Sequence, residues 1–245
     1  FTDFASQESE ANMAGRDVAR SHDGSYQAYF SLVKSGLQEP ISQHSDHYNT
    51  NRAYSIAAYS MGTVFLQQLK YVVGEENFYI GMRKFYNTWK FKHPEPVDFI
   101  RIMEKQSGLQ LSWYLNYWVN TTKKIDYGIK QITGKENGTQ ITFERVGDFP
   151  MPLDVVITLK DGSKEMLYIP LNETLGNKPT ETNNMKRTNA EAWPWVYPTY
   201  TTTLSYKLSD IVSIEIDPSL RMADVERKNN KVEIALIKDF DYKAR

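Results

Sequence analysis

NRAYSIAAYSMGTVFLQQLKYVV, residues 51–73, has no proline and no charge cluster, and its apolar residues recur at helical spacing. Tyr59, Gly62, Leu66, Leu69 and Val73 fall on one stripe; Ala58, Met61, Phe65 and Val72 form a second beside it. A helix apolar over so much of its circumference is buried between neighbours, so this stretch predicts the central helix of a helical layer. Tyr59 stands three residues before Gly62, whose missing side chain leaves room for a backbone or a ligand. Periodicity alone favours Tyr59 as a core aromatic. A working hydroxyl is the other reading.

On the N-terminal side, residues 1–34 are helical in character, with Asp23-Gly24 as a break. Phe1 and Phe4 would share one face, and Tyr26, Tyr29, Phe30 and Val33 another. Residues 36–50 form a polar loop. On the C-terminal side, Gly74 suits a helix cap, and residues 75–91 predict a helix with the seam Phe78, Met82, Phe85 and Trp89. Pro94 and Pro96 end it. Shorter helices follow at 97–106, closed by Gly108, and at 111–119.

The period changes after Asn120. Residues 127–133 and 140–146 flank Asn137-Gly138, a hairpin signal, and Leu153, Val155, Ile157 and Leu159 alternate up to a second turn at Asp161-Gly162. Residues 164–171 supply the partner strand, 172–189 read as a loop, and 201–208 with 211–217 read as a further strand pair. VEIALI, residues 232–237, adds one strand in the tail. The pattern predicts an α+β multidomain chain, helical over 1–122 and an all-β sandwich over 123–225, with a tail at 226–245.

Composition narrows the function classes. A net charge of -1 over 245 residues gives no electrostatic footprint for nucleic acid, and no apolar run approaches the roughly 20 residues of a membrane helix. Absence of cysteine removes thiolate metal sites, disulfides and a cysteine nucleophile. The opening FTDFASQES has no methionine and no leader-like segment, so the sequence reads as the interior of a longer protein.

His44 and His47 have the spacing of a metal-ligand pair, with Asp46 as an oxygen candidate, but they lie in a loop and no H-E-x-x-H occurs. A solvated polar loop is the better reading, and no metal site is expected in the chain. No G-x-S-x-G elbow supports a serine hydrolase. Trp193, Trp195, Tyr197 and Tyr200 could stack on a sugar, although edge packing explains such aromatics among prolines more simply. The sequons at Asn120, Asn137 and Asn172 carry no structural argument of their own.

Three consecutive pieces, AAYSMGTVFLQQL (57–69), VGEENF (73–78) and FYNTWKFKHPEPVDF (85–99), together resemble the aminopeptidase N/leukotriene A4 hydrolase family of zinc metallopeptidases, the gluzincins. MEKQSGLQLSW (103–113), Asp126-Tyr127, VGDFPMPLDV (146–155) and Ile216-Asp217-Pro218 fit the same family, so the likeness runs over about residues 1–225. The resemblance implies that residues 1–122 are the helical C-terminal part of a thermolysin-like catalytic domain, followed by the family's β-sandwich. In that family, H-E-x-x-H and a Glu in the phrase N/D-E-G-F-x-x-F/Y hold zinc. Phe1-Thr2-Asp3-Phe4 matches the end of the phrase, which puts the third ligand two residues before Phe1.

The resemblance further implies that Tyr59-Ser60-Met61-Gly62 corresponds to the family's Y-x-K-G, whose tyrosine donates a hydrogen bond to the oxyanion of the tetrahedral intermediate. Met61 departs from the family's lysine. Tyr54 is a competing phenol but lacks the downstream glycine. The implied parent is a zinc aminopeptidase acting on peptides, with zinc as its cofactor and its own N-terminal portion as this chain's partner. This chain alone is expected to be inactive. The alternative is a non-catalytic protein-interaction module on the same scaffold.

Overall fold

The computed structural model describes residues 1–181 and 185–234, together with the backbone of 241–243. Two compact units divide it, Phe1–Lys123 and Lys124–Arg245. The chain is therefore α+β, a helical unit followed by a two-sheet β unit.

In the helical unit, α1 (Thr2–Met13) and α2 (Asp23–Ser35) are separated by a 3-10 turn at Val18–Arg20. The break thus precedes Asp23-Gly24, which opens α2 instead of interrupting a helix. The central stretch is one helical rod of three parts: α3 (Asn51–Ser55), a π-helical turn (Ile56–Met61) and α4 (Gly62–Val73). Thr50 caps its start, its hydroxyl oxygen accepting from the Ala53 amide at 3.1 Å. Gly74, at φ 84°, lets the chain turn directly into α5 (Glu75–Trp89). A cap follows at α6 (Pro96–Ser107): Pro96 needs no amide partner at that position, and Asp98 accepts from the Glu95 amide at 2.9 Å. The last helix is α7 (Ser112–Asn120).

The burial pattern corrects the simple two-stripe reading of the central helix. Leu66, Leu69, Val72, Val73 and Met61 are fully buried as expected, but Ala58 is exposed and Tyr59 is 63% exposed. The π turn is the reason. Its wider winding shifts the helix face, so the stripe that runs straight through α4 does not continue across residues 56–61.

In the β unit, β1 (Tyr127–Lys135) and β2 (Gly138–Arg145) form the hairpin, closed by Glu136-Asn137. A four-stranded sheet runs β6 (Thr199–Leu204), β2, β1, β9 (Asp241–Lys243). The five-stranded sheet runs β5 (Lys186–Asn189), β4 (Lys164–Ile169), β3 (Leu153–Leu159), β7 (Ile211–Ile216), β8 (Lys231–Glu233). Ile132, Ile141 and Phe143 of one sheet and Val155, Ile157 and Ile214 of the other are buried, giving a sandwich core.

Three strand expectations change. The segments around 201–208 and 211–217 are not partners: β6 pairs with β2, while β7 pairs with β3 and β8. Residues 186–189, read as loop, form a parallel edge strand on β4. Lys-Arg-Thr-Asn has no apolar alternation because an edge strand open to water needs none. The tail supplies β8 and β9, whereas the second half of VEIALI, residues 235–237, lies outside the described residues.

Candidate functional site

Tyr59 sits in the π turn, its ring exposed, on the helix that otherwise forms the centre of the helical unit. Tyr54, the competing phenol, is 41% exposed and packs edge-on against Tyr48, with ring centroids 5.6 Å apart. One turn after Tyr59, Gly62 lines an apolar groove of about 460 Å³ with Phe1, Phe65, Phe85, Phe99 and Leu115. A Cβ on Gly62 would meet nothing within 4 Å, so internal packing does not require glycine there. The glycine leaves open the floor of a groove wide enough for an apolar side chain.

The helix that carries Tyr59 is anchored immediately after the π turn. Tyr114 of α7, completely buried, donates to the Phe65 carbonyl at 2.6 Å. Thr63, 1% exposed, donates from Oγ1 to Asp3 Oδ2 on α1 at 2.8 Å. Losing Asp3 as acceptor would strand a buried hydroxyl, at a cost of about 1–3 kcal/mol.

From Asp3 a polar chain runs along α1. Gln7 Nε2 donates to Asp3 Oδ2 at 3.0 Å and to Ser25 Oγ at 3.0 Å, so its Oε1 faces His22 Nδ1 at 2.8 Å. The other ring nitrogen of His22 lies 3.4 Å from Glu8 Oε1. Both nitrogens of this buried imidazole therefore face oxygen atoms, Gln7 Oε1 and Glu8 Oε1. Glu8 also accepts from Lys70 Nζ at 3.1 Å and from Tyr79 Oη at 2.9 Å. Burial pushes the Glu8 carboxyl up, but His22, Lys70 and Tyr79 together hold it below its ordinary value. Burial and the neighbouring Glu8 carboxylate raise the Tyr79 phenol well above its own.

Sequence reading missed this cluster. Its members are separated by as many as 71 residues, and only the packing of α1 against α2, α4 and α5 brings them together.

The other candidates do not assemble. The His44 and His47 rings lie tilted to each other, with centroids 5.6 Å apart, and His44 Nδ1 accepts from the Asp46 amide at 3.3 Å, closing its own loop. Among the described residues no three His, Asp or Glu side chains are placed to hold a metal ion, so the donor set present does not fit zinc. Trp193 is buried, edge-on to Tyr127 and stacked on Tyr200, which makes it core. Trp195 and Tyr197 remain exposed, and Arg145 lies over the Trp195 ring at 5.9 Å. No helix among the described residues is long and apolar enough to cross a membrane.

Comparison with known proteins places this geometry in a class. Residues 2–118, nearly all of the helical unit, match the family model described as the peptidase family M1 domain. The chain is similar to M1-type aminopeptidases, a metallopeptidase family. Aminopeptidase 2, mitochondrial, of Saccharomyces cerevisiae is 26% identical over 95 residues, which are 39% of this chain and 10% of that protein. The crystal structure of Legionella pneumophila aminopeptidase A in complex with aspartic acid shares the fold. Its TM-score is 0.52 at 12% identity, over 84% of this chain and 22% of that one. The sequence thus spans well under a third of either relative's length.

Proposed function

We propose that this chain is the part of an M1-type zinc aminopeptidase that contributes the oxyanion-stabilising phenol, Tyr59, and not the zinc ligands. Residues 1–122 are then the C-terminal part of its thermolysin-like catalytic domain. Residues 123–225 are its β-sandwich, and its remaining portion is this chain's partner. One observation supports the role of Tyr59 above the others: inside the matched M1 segment, the phenol stands exposed in a π turn that runs directly into the buried helix α4. π turns are frequent where a helix must aim a side chain at a site, because the inserted residue rotates it out of the packing register.

When peptide carbonyl carbon becomes tetrahedral, negative charge grows on its oxygen. A phenol fixed nearby donates a hydrogen bond to that oxygen, stabilising the transition state more than the substrate. Gly62, three residues after the phenol in sequence, lines an apolar groove with room for a side chain. The family's metal would polarise the same carbonyl, and residues outside this sequence would hold it.

Tyr59→Phe, made in the polypeptide that carries this sequence together with an H-E-x-x-H segment, tests the role. Turnover of an aminoacyl reporter should fall about 10²–10³-fold, with zinc content by atomic absorption unchanged. Unchanged turnover would sink the proposal and favour a non-catalytic module. Substantial peptidase activity of the 245 residues alone with added zinc would overturn the assignment of the ligands elsewhere.

A further inference from the structure

We infer that Thr63 and Asp3 are positioning residues for the Tyr59 phenol, through the hydrogen bond that ties α4 to α1. This inference rests on the reading of Tyr59 just given.

Thr63 follows Tyr59 by four residues, and it is the first buried polar side chain after the π turn. A π turn is a poor anchor for its own side chains. Its winding can revert to α by shifting one hydrogen-bond register, which would swing Tyr59 around the helix axis. Register is therefore fixed by contacts on either side. Before the turn, the contacts are the Thr50 cap and an exposed bond from Arg52 to Ser31 at 2.6 Å. After the turn comes the Thr63–Asp3 bond, charge-assisted and made between a buried hydroxyl and a carboxylate.

Thr63 lies one turn after Tyr59, so its bond to Asp3 fixes α4 against α1 one turn beyond the phenol. Asp3 is itself held by Gln7, whose amide is fixed by Ser25 and His22, so the acceptor cannot easily swing away. A shift of about 1 Å in such a group can cost on the order of a hundredfold in rate.

Thr63→Val, which keeps the shape and removes the donor, and Thr63→Ser, which restores it, separate positioning from packing. In the metal-containing polypeptide, Thr63→Val should lower kcat about tenfold or more with KM changed less than about twofold. Thr63→Ser should recover most of the loss. A second readout needs no activity: in the 245-residue chain, amide hydrogen exchange over residues 56–62 should accelerate in Thr63→Val and not in Thr63→Ser. If Thr63→Val leaves kcat and exchange unchanged while Tyr59→Phe abolishes turnover, the positioning role is wrong and the phenol's role stands. If Tyr59→Phe has no effect, both fall.

Discussion

The two units bury charge in different ways. In the helical unit the buried charges are relays between helices: Glu8 of α1 meets His22 at the mouth of α2, Lys70 of α4 and Tyr79 of α5. In the β unit they are staples that hold loops to strand ends. Lys178 meets Asp154 of β3 at 2.5 Å and Glu181 at 3.5 Å, and Arg221 meets Glu181 at 2.5 Å. Asp217 Oδ2 accepts from the Met222 amide, and Asp224 Oδ2 from the Tyr127 amide. Helices present side chains around their whole circumference, so polar groups from three neighbours can converge on one carboxylate. Strand faces in a sandwich are committed to the apolar core, which leaves the charges to the turns.

The comparison breaks most readily at Lys178. Lys178→Ala takes the cation from a carboxylate that is 5% exposed, and should destabilise the β unit by about 3–5 kcal/mol. Guanidinium unfolding followed by hydrogen exchange should show the loss confined to residues after 124. A loss spread equally over both units would contradict separate charge systems. Gly147→Ala comes next. Its Cβ would lie 2.2 Å from the Lys124 carbonyl oxygen, a backbone atom that cannot step aside, so a cost of about 1–3 kcal/mol is expected from chemical melts.

The pH dependence sharpens the contrast, because Asp217 and Asp224 of the β unit titrate in the opposite sense to Glu8 of the helical unit. Burial raises Asp217 and Asp224 to about 6 in the folded chain, above an ordinary value of 3.8. The folded state therefore holds protons that the unfolded state has released, and stability from these groups falls as pH rises from about 4 to about 6. Each group accounts for roughly 2 kcal/mol over that window. Glu8 behaves oppositely: its folded value is lowered, so its contribution is present above its unfolded value of 4.5 and is lost as pH falls through the folded one. Exchange protection measured at pH 5 and pH 7 should accordingly be greater at pH 5 around residues 217–226, with no such gain in α1. Equal changes in both would remove the distinction. Thr50→Ala should produce the smallest effect, about 1 kcal/mol, seen as faster exchange at the start of α3.

Much of the architecture was legible because local rules and tertiary structure agree. Helix periodicity over 61–73, the Asn137-Gly138 hairpin and the alternation at 153–159 each describe what a residue's near neighbours permit. Where those rules were silent, the reading erred: 186–189 forms an edge strand with no apolar pattern, and β6 and β7 follow one another in sequence yet join different sheets. The candidate site divides the same way. Motif singles out Tyr59, but its exposure, which distinguishes it from a core aromatic, belongs to the tertiary structure.

By itself the sequence determined the helical and β halves, the apolar surface of the central helix, and the likeness of 57–99 to a peptidase family. Those depend on residue type and spacing within a few turns. Only the tertiary structure decided that the central helix carries a π turn, that Tyr59 leaves the packed face while Gly62 opens on a groove, and that Thr63 meets Asp3. The physical reason is range. Winding register is a balance of small backbone energies, and it is settled by contacts from residues sixty positions away that no local pattern encodes.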